Sequence, residues 1–197
     1  MIGRIRILLW LAVAVGAMAL VAILLRPAPP PVATTEIASF GGPFTLTGSD
    51  GQPFSSARLA GRPYAIFFGF THCPDVCPTT LARLARLRNS LGKGNDAFAI
   101  VFVTVDPERD KPADMGRYAG LFGTPIIGLT GSVAEIERVK KSFGIFSKKV
   151  SQSGGGYNVD HTATVLLFDR EGKFSSTIAI DEGDGVALEK VKALTAG

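Results

Sequence analysis

The sequence predicts an α/β fold, a central mixed sheet flanked by helices, and three observations carry that prediction. Two continuous apolar runs, Tyr64 to Phe70 and Phe98 to Val105, lack polar alternation and fit strands buried on both faces. Between and after them lie stretches whose apolar residues recur at helical spacing, as at positions 81, 84, 87 and 91. Near the end, Thr162 to Phe168 and Phe174 to Ile180 flank the turn Asp169-Arg170-Glu171-Gly172, which is a hairpin pattern. Strands alternating with helices, then a hairpin and a helix, place helices on both faces of one sheet.

Each element follows in order. Phe44-Thr45-Leu46-Thr47, the turn Gly48-Ser49-Asp50-Gly51 and Gln52-Pro53-Phe54 form an N-terminal hairpin. After the first buried strand, a helix runs from Pro78 to Leu91 and Gly92 stops it. After the second, Asp110 and Pro112 open a helix to about Phe122. Ile126 to Leu129 is a short strand, and Ser132-Val133-Ala134-Glu135 is a capping box for a helix ending near Gly144. A last helix takes Val186 to about Ala193. The order β-α-β-α-β-α-β-β-α is that of a thioredoxin-like fold.

The N-terminal region has a different character. No residue from Ile7 to Leu25 is charged, and at about 1.5 Å per residue the run spans roughly 28 Å, near the thickness of a bilayer core. We read residues 1–6 as a cytoplasmic N-terminus, 7–25 as a single transmembrane anchor, 26–39 as a Pro-rich linker and 40–197 as the folded domain. Arg4 and Arg6 ahead of the run put the first residues in the cytoplasm by the positive-inside rule. Ala17-Met18-Ala19 resembles a signal-peptidase site, but it falls inside the run, and the run is longer than a usual signal core. No Arg- and Ser-rich amphipathic presequence precedes it. The expected location is a bacterial cytoplasmic membrane, with the domain in the periplasm.

A net charge of +4, with no basic cluster longer than the doublets Lys140-Lys141 and Lys148-Lys149, excludes nucleic acid as an expected partner. The chemistry lies elsewhere. Cys73 and Cys77, the two cysteines of the chain, fall between the first buried strand and the first long helix. Such a position is where α/β folds hold reactive groups. Each cysteine precedes a proline, which disfavours the helical region, so Cys77 is expected as the helix N-cap and Cys73 in the loop before it. The helix dipole then makes Cys77 the more acidic sulfur.

Two thiols so placed suit Cu(I), Zn(II) or a reversible disulfide. A disulfide closing so small a loop stabilises little. Structural zinc takes four ligands, and the chain offers two cysteines and two histidines. His72 adjoins Cys73 and points away from a shared metal. His161 is the natural third ligand, giving two thiolates and an imidazole, a set that suits Cu(I) and, with an added weak oxygen ligand, Cu(II). A peroxidase reading, based on Thr71 two residues before Cys73, leaves Cys77 and His161 without roles.

The run Phe68-Gly69-Phe70-Thr71-His72-Cys73-Pro74-Asp75-Val76-Cys77-Pro78 resembles the signature of the Sco (SenC-type) copper proteins. Val103 to Asp110 and Tyr157 to Thr162 agree with the same family in kind and order. The resemblance implies copper held by Cys73, Cys77 and His161, with Asp160 orienting His161. It also implies delivery to the dinuclear copper centre of cytochrome c oxidase subunit II during oxidase assembly. A further periplasmic copper chaperone or a thioredoxin-like reductant would be a second partner. The alternative function is a thiol–disulfide oxidoreductase acting on that subunit's cysteines, or signalling redox state, with Cys73 and Cys77 as the redox-active pair. Three residues lie between these cysteines, where dithiol oxidoreductases usually hold two. For Asp75 the simpler role is a turn residue, and for Asp106 and Asp110 a strand end and a helix cap.

Overall fold

The computed structural model describes residues 40–196 and, before them, only Gly3, Trp10 and Met18. The expected anchor and linker lie outside the described residues, those positions excepted. No helix among the described residues is long and apolar enough to cross a membrane.

A seven-stranded mixed sheet organises the domain. Its strands are β1 (Thr45–Gly48), β2 (Pro53–Ser55), β3 (Tyr64–Gly69), β4 (Ala99–Thr104), β5 (Ile127–Thr130), β8 (Val165–Phe168) and β9 (Phe174–Ile178). They lie in the order β2-β1-β5-β4-β3-β8-β9. β3, β4 and β5 are parallel neighbours, with Tyr64 opposite Ala99 and Gly69 opposite Thr104. β8 and β9 extend one side antiparallel, and the β1–β2 hairpin extends the other.

Every residue of β3 and β4 is buried, as their unbroken apolar runs require of strands covered on both faces. Phe67, Phe68 and Phe102 are fully buried there, as is Phe98 just ahead of β4, and truncating such a ring to alanine typically costs about 3–5 kcal/mol. This centre is a rigid frame, and the loops leaving β3 and β4 start from fixed points.

Helix α1 (Val76–Ser90) follows β3 and buries Cys77, Leu81, Leu84 and Leu87. Gly92, at φ 66°, turns the chain away after it. α2 (Pro112–Gly120) has proline in its first turn and packs on β5. α3 (Val133–Ser142) begins with the expected capping box: Ser132 Oγ accepts from the Glu135 amide at 3.3 Å, and Glu135 accepts from the Ser132 amide at 2.8 Å. α4 (Asp184–Ala196) closes the chain against α1, where Arg83 Nε donates to Asp184 at 2.7 Å.

Two expectations are corrected. The sequence assigns no strand to β6 (Ser147–Ser151) or to β7 (Tyr157–His161), which pair antiparallel as a separate two-stranded ribbon, with β6 the less legible of the two. The β6 sequence Ser-Lys-Lys-Val-Ser is exposed along most of its length and so carries no apolar alternation to betray a strand. The Ser-Gly-Gly-Gly stretch is the ribbon's tip, with Gly154, Gly155 and Gly156 all at positive φ. The second correction concerns Cys77, which lies inside α1 as its second residue, with Asp75 at the N-cap position. Pro78 is then the third helical residue. The first amides of a helix have no intrahelical acceptor, so a proline there forfeits no bond.

Candidate metal centre

β3 ends at Gly69, and the chain turns through Phe70-Thr71-His72 to bring Cys73 up to the N-terminus of α1. Gly69 is required by space: a Cβ built there would stand 2.6 Å from Cys77 Sγ and 2.9 Å from the Phe102 ring. Cys77 itself is fully buried beneath the loop, while Cys73 is half-buried.

Asp110 fixes the loop. Its buried carboxylate accepts from the Thr71 amide at 3.0 Å, from Thr71 Oγ1 at 2.6 Å and from Thr104 Oγ1 at 2.6 Å. The end of β4 and the approach to Cys73 are thereby joined through one side chain. His72 lies on the outer side of this joint, with Nδ1 3.1 Å from Thr71 Oγ1 and 3.5 Å from Asp110. The N-cap of α2 is Lys111, not the expected Asp110, whose side chain instead has a positioning task that the sequence alone did not reveal.

His161 arrives from the other direction, at the end of β7. Phe70 and Phe67 meet its ring edge-on, with centroids 5.8 Å and 6.2 Å away. Its Nδ1 is 3.0 Å from the carbonyl of Thr162. A carbonyl only accepts, so Nδ1 carries the proton and Nε2 presents a lone pair. Nε2 lies 3.7 Å from Cys77 Sγ. Asp160, expected to orient this ring, is exposed and stands opposite Lys148 in the ribbon register.

The three expected ligands do come together. Cys73 Sγ, Cys77 Sγ and a His161 ring nitrogen all lie within 4.8 Å of one another. Both cysteines are free thiols. The cleft above them is walled by Phe70, Pro74, Val76, Val159 and Ala163. Two sulfurs and one imidazole, one sulfur deep and one reachable, make a soft, low-coordinate donor set. That set fits Cu(I) better than the four-ligand demand of structural zinc.

The electrostatics reverse one expectation. Cys73, not Cys77, is the acidic sulfur, held down at about 4. The main cause is the hydrogen bond with the Cys77 side chain, against which burial works; the amides of Cys77 and Asp75 reinforce it. Cys73 Sγ accepts from the Cys77 amide at 3.4 Å, so the helix N-terminus acts on the loop sulfur. Cys77 is pushed up, because it shares its proton with the neighbouring thiolate and is buried. With Cys77 inside the first turn, Cys73 takes the place facing the open amides.

The sequence profile of SCO1/SenC matches residues 32–196. The chain belongs to the SCO1/SenC family. A SCO2-like protein of Rickettsia felis is 33% identical over 195 residues, which cover 96% of this chain and 95% of that protein. The structure of Bradyrhizobium japonicum ScoI with copper bound is similar at a TM-score of 0.72 and 41% identity, covering 79% of this chain and 99% of that one. Similar too is BsSco, a member of the Sco family of cytochrome c oxidase assembly proteins in which a disulfide switch was identified. It matches at a TM-score of 0.62 and 28% identity, covering 81% of this chain and 95% of that one.

Proposed function

We propose that this SCO1/SenC protein binds copper through Cys73, Cys77 and His161 and passes it to an assembling cytochrome c oxidase. The observation that carries the reading is the convergence of two free thiols and one imidazole within 4.8 Å. The copper-bound relative and the oxidase-assembly relative support it. The recipient in this reading is the dinuclear copper centre of oxidase subunit II. Residues 7–25 anchor the chain, and the domain works in the periplasm.

The geometry suits transfer. Cys77 is locked in the core, whereas Cys73 is partly open to the cleft and already a thiolate. An incoming thiolate therefore meets copper from the Cys73 side and exchanges ligands one at a time. The test is to reduce the full-length protein, load it anaerobically with Cu(I), and compare wild type with His161→Ala. One copper per chain with sulfur and nitrogen ligation, weakened in the variant, is the expected result. Unchanged affinity in His161→Ala would remove the third ligand from the reading.

A second reading has its own observation. A depressed, reachable Cys73 beside a second thiol is the arrangement of a dithiol reductant, and the disulfide switch of BsSco is consistent with it. Reduction of an oxidised subunit II fragment by the copper-free protein, absent in Cys73→Ser, would establish that activity.

A further inference from the structure

We propose that Arg109 is a positioning residue that holds the His161 ribbon against the cysteine loop, and so sets how tightly the three-ligand site grips copper. This inference rests on the copper-binding reading above.

The reason lies in how the β6–β7 ribbon is attached. It belongs to neither edge of the main sheet, so ladder hydrogen bonds to that sheet do not fix His161. Side chains do. Tyr157, the first residue of β7, donates its hydroxyl to Asp106 at 2.9 Å. Arg109 donates Nη1 to the Tyr157 carbonyl at 3.0 Å, and its guanidinium lies 3.9 Å from the centre of the Tyr157 ring. Through Nε it also pairs with the fully buried Asp106. Lys149 of β6 adds a pair with Glu108 and stands 4.7 Å over the same tyrosine ring.

Arg109 also reaches the other half of the site. Its guanidinium lies 5.7 Å from the centre of the Phe70 ring, and Phe70 is the residue that both starts the cysteine loop and packs edge-on against His161. One planar cation is thus in contact with Tyr157, four residues before His161, and with Phe70, three residues before Cys73. Lysine would keep the charge, but it lacks the fork that pairs with Asp106, bonds the carbonyl and sits over the ring at once.

Two variants and two readouts test this. The first readout needs no metal: amide hydrogen exchange in the full-length, copper-free, reduced protein. Arg109→Ala should speed exchange across residues 147–161 while leaving β3 and β4 protected, and Tyr157→Phe should do so to a smaller extent. The second is Cu(I) affinity by competition with a chelator. Arg109→Ala should weaken it about 10- to 100-fold, the range found when residues supporting metal ligands are lost. Arg109→Lys should recover only part of the loss. In a His161→Ala background the Arg109 substitution should have no further effect, because it acts through that ligand. Equal weakening in both backgrounds, or unchanged ribbon exchange in Arg109→Ala, overturns the inference. If the wild type holds no copper, the copper reading fails, and ribbon exchange alone decides whether Arg109 positions His161.

Discussion

Gly69 and Cys77 are packed so closely that a single methyl group at position 69 would stand 2.6 Å from the Cys77 sulfur. The last residue of β3 is thus the floor on which the deep sulfur rests. Gly69→Ala must push either Cys77 or the Phe102 ring, and both are fully buried. Overpacking of this kind costs about 1–3 kcal/mol. A lower midpoint in urea unfolding, together with weaker Cu(I) binding, is the expected pair of results; unchanged copper affinity would show that the sulfur has room to move.

The acidic Cys73 has a kinetic consequence in the reduced, copper-free protein. A group whose folded value is depressed becomes charged as pH rises through that lower value, here about 4. An ordinary thiol ionises near pH 8.5, at about 8.5 on the model-peptide scale. Iodoacetamide should therefore modify Cys73 readily at pH 6, with a rate that changes little up to pH 8. Cys77, buried and shifted upward, should lag. Peptide mapping of the alkylated protein separates the two sites. A rate that climbs tenfold per pH unit toward 8.5 would contradict the assignment.

Asp110 gathers three donors in a fully buried position. Asp110→Ala removes the acceptor of all three, and the fully buried Thr104 hydroxyl is left as an orphaned donor, which costs about 1–3 kcal/mol. The expected outcome is a large fall in thermal midpoint. Asp110→Asn keeps the shape but surrenders one acceptor, so it should fall less and loosen the Thr71-His72-Cys73 approach. Hydrogen exchange at the Thr71 amide reads that loosening directly.

Ser132→Ala serves as a contrast. It breaks the capping box of α3, where loss of a cap costs about 1 kcal/mol. α3 supplies none of the three converging side chains. A modest drop in stability with copper affinity intact is expected; a fall in affinity would link α3 to the site.

Much of this arrangement was legible in the residues. The unbroken apolar runs marked β3 and β4 because both faces of those strands are covered, and the capping box marked α3 because its chemistry is local. Cys73, Cys77 and His161 could be singled out by their scarcity and position. What the residues concealed depended on long-range packing. The β6 strand is lysine-rich and exposed, so no periodicity announced it. Proline preferences kept Cys77 out of the helix on paper, yet the first turn of a helix tolerates proline, and the helix starts one residue ahead of Cys77. Cys73 is the acidic sulfur chiefly because the Cys77 side chain bonds it, a pairing that the spacing did not reveal. Asp106 and Asp110 read as ordinary loop and cap residues because their partners, Tyr157 and Thr71, lie far along the chain.

The short segment from Asp106 to Asp110 touches both halves of the donor set. At one end Asp106 and Arg109 grip Tyr157, and at the other Asp110 grips Thr71. A sulfur and an imidazole 84 positions apart in the chain are thereby gauged against one five-residue ruler. Lengthening the glycine tip of the ribbon leaves that ruler intact. Adding or deleting a single residue within 106–110 changes its length, and shifts the imidazole against the sulfurs even though no donor atom has been altered.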